Sequence, residues 1–196
     1  MLKLDRISVS FGQKSVLSEL SFEARAGDRI HLRGPSGAGK TTLLSVIAGL
    51  LKPDDGTAIV SGEVAYMFQE SRLLPWIRAE ENVAFVLPKR SDPRLVRKYL
   101  EAVGLWEDRN KLPTELSGGM CRRVALARTL AYAEAVNAEI LLLDEPFSGV
   151  DAEMKSRLYP ILLQASENRV LILSTHDGEE AAALCEKTVN IEKAAP

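Results

Sequence analysis

Apolar and polar residues alternate from the first positions of the chain. Leu2, Leu4, Ile7, Val9 and Phe11 form the apolar series of a half-buried strand, with a break of phase at Asp5-Arg6. Gly12 begins a turn, and residues 16–24 read as a second strand that ends at Gly27-Asp28. Residues 29–33 are a short strand with Ile30 and Leu32 on one face. Residues 41–51 then carry apolar side chains at helical spacing. Pro53-Asp54-Asp55-Gly56 is a turn signal, followed by an extended stretch over 57–68 that breaks at Ser61-Gly62. The period then becomes helical, punctuated by Pro75, Pro88 and Pro93. Residues 94–103 set Leu95, Tyr99, Leu100 and Val103 on one helical face and stop at Gly104. A helix over about 121–135 follows. Ile140–Leu143 and Val170–Leu173 are unbroken apolar runs, the pattern of strands buried on both faces of a parallel sheet. Strands alternating with helices predict an α/β fold.

Composition narrows the class. The chain has 196 residues, 46% hydrophobic and 27% charged, which is ordinary for one soluble domain and excludes a disordered or collagen-like chain. Its longest apolar runs, such as Val83–Leu87 and Ala181–Cys185, are far below the ~20 residues that span a bilayer. The formal net charge of −2 gives no broad attraction to nucleic acid or anionic lipid, so no nucleic-acid partner is expected. Cys121 and Cys185 read as reduced thiols, and the first residues lack the apolar core of a signal peptide. Both features place the chain in the cytoplasm.

Three motifs carry chemistry. Gly34-Pro35-Ser36-Gly37-Ala38-Gly39-Lys40-Thr41 matches the phosphate-loop pattern G-x-x-x-x-G-K-[ST] between a strand and a helix. The glycines let several N–H groups turn inward at phosphate oxygens, and the helix after them aims its N-terminal dipole at the same charge. Lys40 reaches the outer phosphates, and the Thr41 hydroxyl can ligate Mg²⁺. The run Ile140–Leu143 delivers Asp144 and Glu145 at the carboxyl end of a buried strand, where open α/β sheets bind ligands. Asp144 is placed to hold Mg²⁺ and Glu145 to polarise an attacking water. Leu116-Ser117-Gly118-Gly119-Met120 precedes a helix and reads either as an anion-binding helix start or as a plain helix cap.

These motifs, with Ser148-Gly149-Val150-Asp151 and Thr175-His176-Asp177, resemble in order and spacing an ATP-binding cassette, the nucleotide-binding domain of ABC transporters. The likeness runs from the first strand to about Ile191. It implies a P-loop NTPase core with a mostly parallel sheet, a small antiparallel β region and an inserted α-helical subdomain. The whole of 1–196 would be one ABC ATPase domain, with about 1–69 and 136–196 as catalytic core and about 70–135 as helical subdomain. It implies ATP and Mg²⁺ as ligands, held by Gly34–Thr41 and Thr42, with Thr41, Gln69 and Asp144 at the metal. Glu145, His176, Lys40 and Gln69 would be catalytic. Phe11 would stack on adenine, or is otherwise a core aromatic at a strand end. His31 reads as structural. Asp151 matches the acid of the loop that crosses between subunits. Ser117, Gly118 and Gly119 would cover the phosphate of a second copy in a head-to-tail homodimer.

The same resemblance implies an ATPase subunit at the inner face of the membrane, driving a separate transmembrane permease. A periplasmic or surface substrate-binding protein would accompany an importer. Gln69–Trp76 with Glu81-Asn82-Val83, and Met120 in place of the commoner Gln, is similar to nitrate, sulfonate and taurine importers. Leu74-Pro75-Trp76 also reads as a general docking surface for a membrane partner. Compact exporter cassettes and non-transport cassettes are the alternative.

Several features depart from the family pattern. Only 28 residues separate Lys40 from Gln69, as though one antiparallel strand were missing near the adenine, which would loosen base discrimination. Ala131–Ala138 is Ala-rich, which predicts a helix one turn longer. Cys121 and Arg122 stand where small polar or basic residues are expected. Cys121 is either an oxidisable thiol near the composite site or a buried inert one. The length leaves no room for an appended regulatory domain.

Overall fold

A computed structural model gives the structure, described here for residues 1–192; residues 193–196, the end of the expected single domain, lie outside the described residues. Two sheets organise it. β1 (Leu2–Phe11), β2 (Lys14–Ala24) and β4 (Asp55–Val60) form an antiparallel sheet in the order β2-β1-β4. The phase break at Asp5-Arg6 is real. The β1–β2 register shifts between Leu4 and Ile7, Arg6 takes a φ of 49°, and Leu2, Leu4, Ile7 and Val9 all stay on the buried side. The second sheet is parallel, in the order β5-β6-β7-β3-β8. Its strands are β3 (Arg29–Arg33), β5 (Val64–Met67), β6 (Ile140–Asp144), β7 (Val170–Ser174) and β8 (Lys187–Asn190).

The parallel sheet is covered on both faces, and the period of two along each strand divides its side chains between two cores. Ile140, Leu142, Val170, Ile172, Ile30 and Leu32 pack with α1 (Lys40–Ile47) and the antiparallel sheet. Leu141, Leu143, Leu171, Leu173, Ala65 and Met67 pack on the other face. There they meet α2 (Ala79–Ala84), α3 (Arg94–Ala102), α4 (Gly118–Ala135) and α5 (Ala152–Ser166). α6 (Gly178–Leu184) closes the connection from β7 to β8. No helix among the described residues is long and apolar enough to cross a membrane.

The structure corrects several expectations. The helix expected over 41–51 ends at Ile47, because the chain turns left-handed at Gly49, with φ 69°. The strand expected from 57 starts at Asp55, so the turn signal at 53–56 is partly strand. α4 starts three residues before the expected Cys121, since Ser117 caps it by accepting the Met120 N–H. The Ala-rich stretch adds no turn beyond Ala135: Asn137 has a φ of 50° and ends the helix. α5 and α6 are helices that the apolar pattern does not predict.

Leu142 lies in β6, an interior strand, and is fully buried. Leu142→Ala is expected to destabilise the chain by about 2–5 kcal/mol. In urea unfolding this appears as a lower midpoint with an unchanged slope. A loss below about 0.5 kcal/mol, the range of surface substitutions, would contradict the interior placement of β6.

Candidate active site

All strands of a parallel sheet end on the same edge, and here that edge gathers the polar residues. β3 runs into the loop Gly34–Gly39, β5 into Phe68-Gln69, β6 into Asp144-Glu145 and β7 into Ser174-Thr175-His176. Ser36, Gly37, Gly39, Lys40, Thr41, Thr42, Gln69, Asp144, Glu145 and His176 line one cleft of about 260 Å³.

The phosphate loop is locally determined. Gly39 has φ 104°, and a Cβ there would sit 2.8 Å from Leu17 Cδ2 and 2.9 Å from Val16 Cγ1. Only glycine satisfies both the turn and the packing. Lys40, the first residue of α1, is 7% exposed. Its Nζ donates to Gly34 O at 2.8 Å and Pro35 O at 3.2 Å, so the loop curls around its own cation. The free N–H groups of the first turn of α1 point into the same space, where the helix dipole favours an anion.

Opposite the loop stand the acids. Asp144 is 2% exposed and accepts from Thr41 Oγ1 at 2.6 Å. Glu145 takes φ 51°, a left-handed conformation rarely adopted by glutamate, and its N–H is held by Ser174 O at 2.8 Å. That turn aims its carboxylate into the cleft. Glu145 Oε1 is buried with no hydrogen-bond partner among the described residues. His176 Nε2 lies 3.4 Å from it, close enough for attraction but not aligned to donate. Burial raises the Glu145 pKa above 4.5, and the neighbouring Asp144 adds to the rise while His176 opposes it. The His176 loop is held from behind. Thr175 Oγ1 donates to the buried Glu180 at 2.5 Å, and Lys155 of α5 bridges Glu180 at 2.6 Å and Asp177 at 3.0 Å.

Other expected site residues lie elsewhere. Phe11 is 56% exposed at the end of β1 and does not line the cleft, so it is not a core aromatic. Gly34 and Pro35 border a second, wider space of about 820 Å³ with His31, whose Nε2 lies 3.2 Å from Thr175 O. Ala38 is buried beneath the loop. Ser117, Gly118, Gly119 and Asp151 do not line the cleft. Ser117 caps α4, and Asp151 caps α5 by accepting the Met154 N–H at 2.9 Å. Gly119 packs so tightly that a Cβ there would lie 2.4 Å from Gly149 O. The Cys121 thiol donates to Pro113 O, and burial raises its pKa, which keeps it protonated and unreactive.

The motifs missed three residues. Ser174 ends β7 as Asp144 ends β6, and its hydroxyl is buried with no hydrogen-bond partner among the described residues. The apolar run before it was a usable signal. Val16 lines the cleft from β2. Arg122 holds the backbone of Gln69 and Glu145 from α4.

The profile of the ABC transporter family matches residues 17–148. The aliphatic sulfonates import ATP-binding protein SsuB 2 of Pseudomonas syringae pv. tomato is 41% identical over 96% of this chain and 80% of that protein. The aliphatic sulfonates import ATP-binding protein SsuB of Zymomonas mobilis is 36% identical, over 98% and 82%. The uncharacterized ABC transporter ATP-binding protein YtlC of Bacillus subtilis is 40% identical, over 87% and 70%. Among solved structures, a dimeric bacterial ABC transporter cassette aligns with TM-score 0.84 at 26% identity, covering 98% of this chain and 95% of that one. A dimeric post-hydrolysis cassette bound to ADP and Pi has the same fold, with TM-score 0.87 at 24% identity over 100% and 97%. The phosphate loop, the acid pair and the family match over two thirds of the length agree: this chain belongs to the ABC transporter family.

Proposed function

We propose that this chain is the ATP-binding and ATP-hydrolysing subunit of an ABC importer, and that it powers a separate transmembrane permease. One observation carries the reading: a single cleft at the sheet edge joins a phosphate loop, a Thr–Asp pair, a half-buried glutamate with one buried oxygen that accepts no hydrogen bond among the described residues, a glutamine and a histidine. Lys40 and the loop N–H groups bind the phosphates of ATP. Gln69 and Glu145 orient a water in line with the γ-phosphate, and Glu145 takes its proton. His176, beside Glu145, contacts the γ-phosphate. Positioning and charge neutralisation do most of the work in such a transfer.

The residues present fit Mg²⁺. Thr41 Oγ1 and Asp144 Oδ2 converge to 2.6 Å, Gln69 lines the same space, and the donors are all oxygen, as a hard cation requires. Among the described residues no group of three or more His, Cys, Asp or Glu is placed to hold a metal by itself. When bound, Mg²⁺ neutralises charge on the phosphate oxygens.

The edge built by Ser117, Gly118, Gly119 and Asp151 has no phosphate-binding partner in its own chain. In this reading it closes over the ATP of a second copy in a head-to-tail homodimer with two composite sites. Phe11 stacks on the adenine, and its exposure at the end of β1 supports that role. Residues of about 70–135 serve as the helical subdomain, with about 1–69 and 136–196 as catalytic core. Trp76 and Phe85, both exposed, present an apolar face to the permease. The names of the sulfonate-import relatives support import; in this reading a substrate-binding protein stands outside and this chain on the cytoplasmic face.

Glu145→Gln is expected to lower kcat for ATP by about 10²-fold or more while ATP affinity is kept, measured by phosphate release and by nucleotide titration. Unchanged turnover would remove Glu145 from the chemistry. The same variant has a stability signature in metal-free protein. Because burial raises the Glu145 pKa, folding favours the protonated form, and stability falls as pH rises through the folded-state pKa above 4.5. Glu145→Gln should therefore melt higher than the natural chain at pH 7–8. The gap should close as pH falls towards about 4.5. A gap that is constant with pH would contradict the burial of a charged carboxylate.

A further inference from the structure

Arg122 lies five residues after Ser117, in the second turn of α4, yet only 4% of its surface is exposed. Its guanidinium reaches two segments that leave neighbouring strands. Nη1 donates to Phe68 O at 2.8 Å and to Gln69 O at 2.6 Å. Nη2 donates to Asp144 O and, at 2.6 Å, to Glu145 O, while Nε donates to Glu145 O at 2.9 Å. Every acceptor is a main-chain carbonyl. β5 and β6 pair in register only as far as Met67 and Leu143. Beyond that pair, the two chains turn away into Phe68-Gln69 and Asp144-Glu145. The guanidinium takes over where the ladder stops and supplies donors to these carbonyls, of which that of Glu145 also accepts from the Ser148 N–H at 3.3 Å. It also places two donors on the carbonyl of Glu145, the residue held at φ 51°.

We infer that Arg122 is a positioning residue for ATP hydrolysis, whose guanidinium fixes the backbone of Gln69 and Glu145 and so sets where the glutamine amide and the glutamate carboxylate meet the attacking water. This rests on the hydrolytic reading of the cleft. A point charge would not serve equally. The planar fork spans four carbonyls on two segments with fixed angles between its donors, which a lysine ammonium does not reproduce. No residue of Gly34–Thr41 is among the groups that Arg122 touches through hydrogen bonds. Its loss should therefore displace the water-orienting side and leave the phosphate-binding side in place.

The test compares Arg122→Gln, Arg122→Lys and Arg122→Met in the full chain, by steady-state ATP hydrolysis and by separate nucleotide titration. Arg122→Met, which keeps the stem and removes all donors, is expected to lose about 10²-fold in kcat, the scale of a misplacement near 1 Å. Its KM and nucleotide affinity should stay within about twofold of the natural chain, the pattern of a group that acts on the transition state and not on binding. Arg122→Gln, which keeps an amide donor, should recover about tenfold of that loss, and Arg122→Lys should fall below the natural chain despite its charge. A merely structural role would lower kcat and nucleotide binding together, in step with the melting temperature, and would overturn the inference. If Arg122→Met does not fold, Arg122→Gln decides by the same split. A natural chain that hydrolyses ATP beside an Arg122→Gln of equal kcat overturns this inference alone. A natural chain that binds ATP without turnover overturns the hydrolytic reading and the inference with it.

Discussion

A strand buried on both faces can place no polar side chain until it leaves the sheet. That constraint organises this molecule. β6 is apolar from Ile140 to Leu143 and changes character at Asp144; β7 is apolar from Val170 to Leu173 and changes at Ser174. Because the strands are parallel, these changes fall on one edge, in register, with Asp144 beside Ser174. The phosphate loop follows β3 to the same edge. The chemistry is therefore concentrated where the sheet ends, and the two cores above and below serve to hold that edge level.

The edge is an expensive place to put charge. Lys40, Asp144 and Arg122 are nearly buried, and Glu145 has an oxygen without a partner. The two cations are compensated largely by main-chain carbonyls, Lys40 by those of Gly34 and Pro35 and Arg122 by those of Phe68, Gln69, Asp144 and Glu145. Carbonyl dipoles satisfy a cation without neutralising it, so Lys40 keeps its charge for a phosphate. The buried oxygen of Glu145, which accepts no hydrogen bond among the described residues and has the His176 ring 3.4 Å away, is a costly feature of the kind that functional sites retain. Arg122 also rides on the helix that Ser117 caps. The end of α4 that we propose faces a second copy is thus tied, through one side chain, to the acid of its own site.

Contiguous features were legible in the sequence. The phosphate loop, the acid pair and the two central strands are runs whose neighbours along the chain are also their neighbours in space. The bulge at Asp5-Arg6 was visible as a break of phase. Less legible were elements with few buried positions. α5 has only Leu158, Leu162 and Ser166 fully buried and carries Pro160 inside, so its helical period is weak. α2 and α6 are six and seven residues long, too short for a period to show. The role of Arg122 left no trace, because main-chain carbonyls carry no sequence identity and those it meets lie up to 54 positions away. The edge of Ser117, Gly119 and Asp151 reads correctly as helix caps in the chain alone, and its further use depends on a second copy.

The central claim is that each site is shared, with Lys40 from one copy facing Ser117 of another. Mixing two inactive variants tests it directly: Lys40→Ala, which lacks the phosphate-loop cation, and Ser117→Arg, which blocks the capping edge. Each alone should be nearly inactive in ATP hydrolysis. An equimolar mixture should recover about a quarter of the natural rate, since half of the dimers are mixed and each holds one intact site of two. A mixture no more active than its parts, with mixed dimers present on sizing, would contradict a shared site.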